Sequence, residues 1–522
     1  MPVSDSVLFH GGMVLVCDAE ARVANWVWVR DGRVVALGGG TPPEVDATRT
    51  HLEGRTLVPS FCDAHLHLSW LATALSGPDL SRCTSRDDLL HAIARWQAPG
   101  RGPGGIWIVG HGFDESDWAD KRLPSRADLD AVQPARPVVA MRACGHVGVL
   151  NGAALHGFAP GPHTDLASGR LAEDDLYAIN DRLRPTPHDL AAALPRIAMH
   201  LHAHGITAVH DVTSPEMLAA LQGVRAQDAL PLRVTCSIPS RYLDADLRIV
   251  SDAAPEVAGL ALSGPKAGDD EFLRVLGVKL FLDGSLGART AWLREPYTDA
   301  ADTRGTPLFT PEKLHAIVQR ADARGLQLMV HAIGDAALDM ALDALEPFTT
   351  GGNPLRHRLE HVEVTPPDLI ARLAQSGVWV CAQPNFAARW SQPGGMNAQR
   401  LGARLTHCNA YRSLHEAGVP LGFGSDTMPL GPALGLRGAS RNSVTAERLP
   451  IEEALRAYTA MAAALVHGEQ RHGRIAPGLA ADFALLDRDP RTVHDPGDLQ
   501  IVATYLAGKR VHGPVAAPRD AC

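Results

Sequence analysis

The sequence predicts an α/β protein: a (β/α)8 TIM-type barrel with an inserted subdomain after strand 1 and a small β-sandwich domain formed by both termini. Three observations lead there. Eight short apolar runs alternate with helical stretches through the middle of the chain. Both ends read as short strands joined by glycine turns. The gap between the first and second runs is far too long for a loop.

Residues 1–55 alternate apolar and polar positions across tight turns, as in Trp26-Val27-Trp28-Val29-Arg30-Asp31-Gly32-Arg33-Val34. Asp31-Gly32 between two such runs is a hairpin turn, because both central positions of that turn favour residues that tolerate positive φ. Residues 473–522 have the same character, with runs at Ala481-Asp482-Phe483-Ala484-Leu485-Leu486 and Ile501-Val502-Ala503-Thr504-Tyr505-Leu506. Residues 1–55 and 473–522 are therefore assigned to one β-sandwich domain, and 56–472 to the barrel.

The eight barrel runs are 57–62, 206–210, 232–238, 276–282, 326–331, 357–361, 378–383 and 421–425. Near-continuous apolar runs are what parallel strands buried on both faces require, and eight is the number that closes a barrel. Residues 69–204 form the insert, with strands of their own at Ile106-Trp107-Ile108-Val109 and Val138-Val139-Ala140-Met141. Inserted at the C-terminal end of a barrel strand, this subdomain is expected to roof the barrel mouth.

Composition narrows the function. The chain has 522 residues, 45% hydrophobic and 20% charged, so it folds as a globular protein. A net charge of -9 without any Lys/Arg block argues against nucleic acid as a partner. No apolar run is long enough to span a bilayer, and the start lacks the basic and apolar regions of a signal peptide. Eight scattered cysteines without Cys-x-x-Cys fit reduced thiols in the cytoplasm. The expected partner is a small-molecule substrate.

The chemistry gathers at the ends of the runs, where barrel enzymes keep it. Run one leads into Asp63-Ala64-His65-Leu66-His67. Side chains at i and i+2 of a strand share a face, so His65 and His67 can aim at one spot. Neutral imidazole is the commonest metal ligand. A lone His-x-His motif is more often structural, but this one has companions. Lys279 lies inside the apolar fourth run, where a lysine is rare unless paired or used. Runs five and six end in His331 and His361, and run eight leads to Asp426.

These motifs are Pro59-Ser60-Phe61-Cys62-Asp63-Ala64-His65-Leu66-His67, Val278-Lys279-Leu280-Phe281-Leu282-Asp283-Gly284, His331-Ala332-Ile333-Gly334-Asp335, Arg356-His357-Arg358-Leu359-Glu360-His361 and Gly424-Ser425-Asp426. In them the chain resembles the amidohydrolase superfamily, and within it amidohydrolase family 3, the group that includes N-substituted formamide deformylases. Ser60 and Cys62 depart from the glycine and aliphatic residue common there, and Cys62 reads as a small core residue facing away from the ligands. The resemblance implies a binuclear centre of two divalent metal ions, zinc by analogy. His65 and His67 would hold one ion, and His331 and His361 the other. A carboxylated Lys279 would bridge them, and Asp426 would bind metal and act as proton shuttle. Two adjacent ions lower the pKa of a shared water, and the resulting hydroxide attacks a polarised carbonyl. The ligand types suit zinc and equally manganese, cobalt or iron. A homodimer is suggested only by the habit of related enzymes.

His146, in Arg142-Ala143-Cys144-Gly145-His146, resembles a family segment whose histidine reaches into the pocket, which implies a catalytic role in orienting the substrate or steadying the oxyanion, against a capped surface histidine; the substrate-side candidates are Trp118, Asp283, Arg289 and Gln383. Subdomain packing is the competing role for Trp118, and a salt bridge for Arg289. The expected function is hydrolysis of an amide or N-formyl C–N bond. A cyclic amidohydrolase, a lactonase or a deaminase would use the same centre. A non-catalytic binding protein of this fold would normally have lost a ligand, and none is missing.

Overall fold

The computed structural model describes residues 6–97, 106–143, 145, 147–172, 175–176, 178–179, 183–265, 270–427 and 429–514. The chain divides into two compact units: Met1–His67 with Ala198–Cys522, and Leu68–Ile197.

The larger unit contains the barrel. Its eight strands follow sequence order around one sheet: Phe61–Leu66, Ile206–Val212, Arg233–Pro239, Leu273–Phe281, Gln327–Ala332, Arg358–His361, Trp379–Ala382 and Leu421–Phe423. These are barrel strands 1 to 8. Every neighbouring pair is parallel. The Asp426 N–H donates to His65 O at 2.7 Å and draws the end of barrel strand 8 onto strand 1. Surrounding helices cover the outer face. One of them, Pro311–Ala323, starts on Thr310, whose hydroxyl accepts from the Lys313 N–H, with proline at the first helical position. It turns Leu314, Ile317, Val318 and Ala321 inward.

The first expected run, 57–62, is two strands. Thr56–Pro59 pairs antiparallel with Phe483–Leu486 in the terminal sheet, and barrel strand 1 begins at Phe61. The change of partner falls at Ser60, whose N–H donates to Asp482 O, while the Phe61 N–H donates to Gly205 O, both at 2.9 Å. The terminal sheet therefore reaches past residue 55. His65 stands on the strand itself and His67 just beyond it.

The termini build one mixed eight-stranded sheet from Ser6–Leu15, Val23–Arg30, Arg33–Gly38, Thr48–His51, Thr56–Pro59, Phe483–Leu486, Ile501–Leu506 and Lys509–His512. It branches at Ser6–Leu15, which pairs through Val7–His10 with Thr48–His51 and through Met13 and Val14 with Thr56 and Leu57. The branches enclose one core, where Phe9 lies edge-on to Phe483 and Tyr505. The Asp31-Gly32 turn has φ of 51° and 75°, the left-handed pair its hairpin needs. A buried ion pair ties this sheet to barrel strand 3: Arg233 Nε and Nη2 donate to Asp482 Oδ2 and Oδ1 at 2.6 and 3.2 Å.

The smaller unit has a five-stranded sheet in the order Thr164–Asp165, Arg170–Ala172, Val147–Leu150, Val138–Arg142 and Ile108–Phe113. Two apolar clusters line it, one around Phe113 and Trp118 and the other around Val139, Leu150 and Leu176. Among the described residues no helix is long and apolar enough to cross a membrane.

Candidate metal centre

Strand register sets the level of each expected ligand. Lys279 pairs across barrel strand 4 with Pro239 and Met329, His331 pairs with Phe281 and Glu360, and His361 with Ala332. All lie toward the C-terminal ends. Gly424 lets barrel strands 8 and 1 close together, since a Cβ there would meet the His65 backbone nitrogen at 2.3 Å.

The side chains meet. Ligand atoms of His65, His67 and Asp426 lie within 4.8 Å of one another. Asp426 Oδ1 is 2.9 Å from His67 Nε2 and 3.5 Å from His65 Nε2. Lys279, wholly buried, brings its Nζ to 3.4 Å from His65 Nε2. The His361 ring lies 5.0 Å from that of His65 and 4.3 Å from that of His331, centroid to centroid. Phe386 stacks over His361 at 6.0 Å. His331 Nε2 is 3.0 Å from Gly284 O, a donor position that leaves Nδ1 with the lone pair.

Beneath this cluster Asp63 accepts from the Ser425 N–H at 2.8 Å and from the Ser425 hydroxyl, tying barrel strand 1 to strand 8. Burial raises its pKa to about 7 against those hydrogen bonds. Burial likewise brings the Lys279 amine down to about 8, although Glu360 and Asp426 favour its charge. Burial, then the Lys279 charge, holds His65 well below its usual value; burial, then His331, does the same for His361. Both imidazoles are thereby kept in the neutral, lone-pair form that binds cations. Burial would raise Asp426, but His65, His67 and Lys279 outweigh it and bring it to about 2.

The donor set fits divalent cations. Neither ring nitrogen of His361 has a hydrogen-bond partner among the described residues, although the ring is 2% exposed. Such a buried, unsatisfied polar atom costs about 1–3 kcal/mol. A cation on one nitrogen would remove that nitrogen's share of the cost. Four imidazoles, a carboxylate and a lysine, buried except for the half-buried His331 and Asp426, offer nitrogen and oxygen donors of the kind zinc and its neighbours accept.

The substrate-side expectations fare differently. Trp118 is 2% exposed, packs on Phe113 in the core of the smaller unit and donates from Nε1 to Cys83 O at 2.9 Å. Packing is its role. Arg289 is bound to Asp299 through two nitrogens, at 3.2 and 2.9 Å, so it ties a loop down. Asp283, 2% exposed, accepts from the N–H groups of Trp292, Ile333 and Gly334, joining that loop to the end of barrel strand 5, and its Oδ1 lies 3.3 Å from His331 Nε2. Gln383 Nε2 lies 3.3 Å from His65 Nδ1, against a ring rather than facing open space. His146 lies outside the described residues. Cys62 is buried with its Sγ 3.4 Å from His210 Nε2. Sequence reasoning assigned no role to Glu360, whose Oε2 is 2.7 Å from His65 Nδ1, or to Arg358, whose Nε is 2.8 Å from Glu360 Oε1. Their i, i+2 spacing on one strand face was the available sign.

Comparison with known proteins agrees with this geometry. A model of the amidohydrolase family matches residues 51–512. The N-substituted formamide deformylase of Arthrobacter pascens is 28% identical, over 95% of this chain and 96% of its own. The Bacillus subtilis (strain 168) protein YtcJ is 29% identical, over 97% and 99%. The crystal structure of an uncharacterized metal-dependent hydrolase from Pyrococcus horikoshii superposes with a TM-score of 0.76 at 28% identity, covering 94% of this chain and 99% of that one. With its barrel and its cluster of donors at the strand ends, the chain belongs to the amidohydrolase family and is a metal-dependent hydrolase acting on carbon–nitrogen bonds other than peptide bonds.

Proposed function

We propose that the chain hydrolyses an amide or N-formyl C–N bond at a binuclear centre held by His65, His67, Lys279, His331, His361 and Asp426. The observation that carries this is the burial of the Lys279 amine 3.4 Å from His65 Nε2, in a cluster that also holds the His361 ring, whose nitrogens have no hydrogen-bond partner among the described residues. A pKa near 8 leaves an appreciable share of Lys279 as free amine at neutral pH. Free amine adds to carbon dioxide to give a carbamate and a proton, replacing a buried cation with an anion that has two donor oxygens.

Two bound ions, zinc for this donor set, would supply the Lewis acidity that polarises a carbonyl and makes water acidic near neutrality. The chain's residues do the rest. His65 and His361, kept neutral by burial, contribute lone pairs rather than charge. Asp426, ionised at working pH, accepts a proton from the attacking water and passes it to the departing nitrogen. The Asp63–Ser425 bonds keep barrel strands 1 and 8 in register beneath it. N-substituted formamides are the first substrates to try, because the Arthrobacter relative is named for their deformylation.

Metal analysis of the purified chain is expected to find close to two divalent ions. Turnover should be sought on a panel of N-substituted formamides, acyl amines, hydantoins and lactones. Expected is metal-dependent release of amine from formamides or acyl amines, abolished by His361→Ala. Full activity in metal-free protein, or activity confined to lactones, would overturn the proposal.

A further inference from the structure

His65 Nδ1 has two neighbours that demand opposite protonation. Glu360 Oε2, 2.7 Å away, can only accept, so it calls for an Nδ1–H donor. Gln383 Nε2, 3.3 Å away, is a donor and calls for a bare Nδ1. The ring can satisfy one of them. Neither Glu360 oxygen meets hydrogen-bond geometry with any described residue, so Oε2, in contact with Nδ1 at 2.7 Å, is a buried carboxylate oxygen that this N–H would satisfy. Gln383 also has another acceptor in Cys381 O, at 3.3 Å. Glu360 therefore decides the tautomer. The proton stays on Nδ1, and the lone pair sits on Nε2, which faces Asp426 Oδ1 at 3.5 Å and Lys279 Nζ at 3.4 Å. In the opposite tautomer Nε2 would point an N–H at the same place and could not bind a cation.

Glu360 is itself held. It is 0% exposed, and Arg358, 1% exposed, sets its Nε 2.8 Å from Oε1. Arg358 donates from Nη2 to Ala64 O at 3.0 Å and lies with Nη1 3.0 Å from His210 Nδ1. The line His210, Arg358, Glu360, His65 thus crosses from barrel strand 2 to strand 6 to strand 1, and only its last member reaches the donor cluster.

We propose that Glu360 is a positioning residue, which fixes His65 in the tautomer that presents Nε2 as a metal ligand and so sets the metal affinity of the centre. This rests on the metal-binding reading above. The competing account is that Glu360 merely neutralises the buried Arg358. Two substitutions separate them. Both Glu360→Gln and Glu360→Met remove the counter-ion of Arg358. Glutamine keeps a carbonyl oxygen to accept from Nδ1–H, whereas methionine, of similar volume, has no comparable acceptor.

The experiment strips metal from the full chain, titrates Zn2+ against a chromophoric chelator and follows thermal unfolding of the metal-free forms. The expected result is that E360Q binds Zn2+ within about threefold of the parent while E360M binds about 10–100-fold more weakly, the usual effect of losing a ligand's supporting partner. The two metal-free variants should unfold at similar temperatures. If E360M does not fold, the pair is compared in an Arg358→Met background, which removes the orphaned charge. Equal Zn2+ affinity of the Gln and Met forms overturns the proposal and leaves the functional reading standing. A parent chain that takes up no divalent ion overturns both.

Discussion

Arg233→Met tests how firmly the terminal sheet is anchored to the barrel. Asp482 is 2% exposed in its side chain and Arg233 5%. With the guanidinium gone, the carboxylate keeps the hydrogen bond from the Ala507 N–H, at 2.7 Å, and the weaker influence of His472. Breaking a buried pair from one side costs about 3–5 kcal/mol, because a bare charge is left behind. At about 2.1 cal/mol/K of unfolding entropy per residue, 1 kcal/mol in the larger unit is worth roughly 1 °C, so the Tm should fall by about 4–6 °C. Calorimetry at pH 7 reads this directly. Arg233→Met with Asp482→Leu removes both charges and should recover most of the loss. The pH dependence follows from Asp482, which Arg233 holds below its usual pKa against the opposing effect of burial. A depressed carboxylate stabilises the fold above the unfolded pKa, and that contribution is lost as pH falls through the folded value. The gap between parent and R233M should therefore close below about pH 4. A Tm within 1 °C of the parent, or a double variant less stable than R233M, would refute the reasoning.

Three further outcomes are expected. His202, 3% exposed with Nε2 3.0 Å from Pro231 O, is brought by burial to a pKa of about 4. The unfolded chain binds that proton near pH 6.5 and the fold does not, so stability falls as pH drops from about 6.5 to 4, by about 3 kcal/mol for this site. His202→Gln should flatten that part of the pH–Tm curve by one proton, and an unchanged slope would count against it. Gly424→Ala forces a Cβ to within 2.3 Å of the His65 nitrogen, so it should cost about 1–3 kcal/mol and weaken metal retention together, read by calorimetry and metal analysis. Lys279→Met replaces a fully buried amine with an apolar chain of similar length. It should leave the metal-free Tm unchanged or raise it, while metal content falls below two per chain and turnover drops at least about 100-fold. A K279M enzyme with full turnover would remove the lysine from the centre.

The barrel was legible because parallel strands buried on both faces leave near-continuous apolar text, as along Ile206–Val212, buried at every position. The same property hid a boundary. Thr56–Pro59 and Phe61–Leu66 are buried throughout, so hydropathy does not mark where the chain passes from one sheet to the other. In the insert the runs at 106–109 and 138–141 were readable as strands, whereas Thr164–Asp165 and Arg170–Ala172 are too short to show a period. The donors could be read because strand ends converge whatever the loops do. Packing for Trp118 and a salt bridge for Arg289 were legible only as competing roles, and the partners of Arg289 and Asp283 were not legible at all, because loop conformation chooses them. Nothing in spacing says that Arg289 finds Asp299, or that Asp283 collects N–H groups from Trp292, Ile333 and Gly334.

Alternation along a strand also explains where the backbone is strained. Consecutive side chains on a regular strand point to opposite faces. Yet Glu360 and His361 both turn toward His65, one at 2.7 Å from its Nδ1 and the other with its ring 5.0 Å away. Adjacent residues can share a side only if the strand stops being regular between them. His361 and Val362 accordingly have φ of 72° and 53°, a left-handed conformation that is especially unfavourable for a β-branched residue. The same holds on barrel strand 8, where Ser425 binds Asp63, Asp426 reaches His67, and Asp426 and Thr427 have φ of 54° and 76°. Each such residue costs about 1–3 kcal/mol. Hydrogen bonds hold them there: the Val362 N–H to Ala332 O, the Asp426 N–H to His65 O and the Thr427 N–H to Ser425 Oγ. The donors on barrel strands 1, 4 and 5 need no such device, because His65 and His67, Lys279 and His331 are each alone or two apart on their segments. The strain therefore falls at the two strand ends where adjacent residues must supply both a member of the cluster and a contact to barrel strand 1, Glu360 to His65 and Ser425 to Asp63.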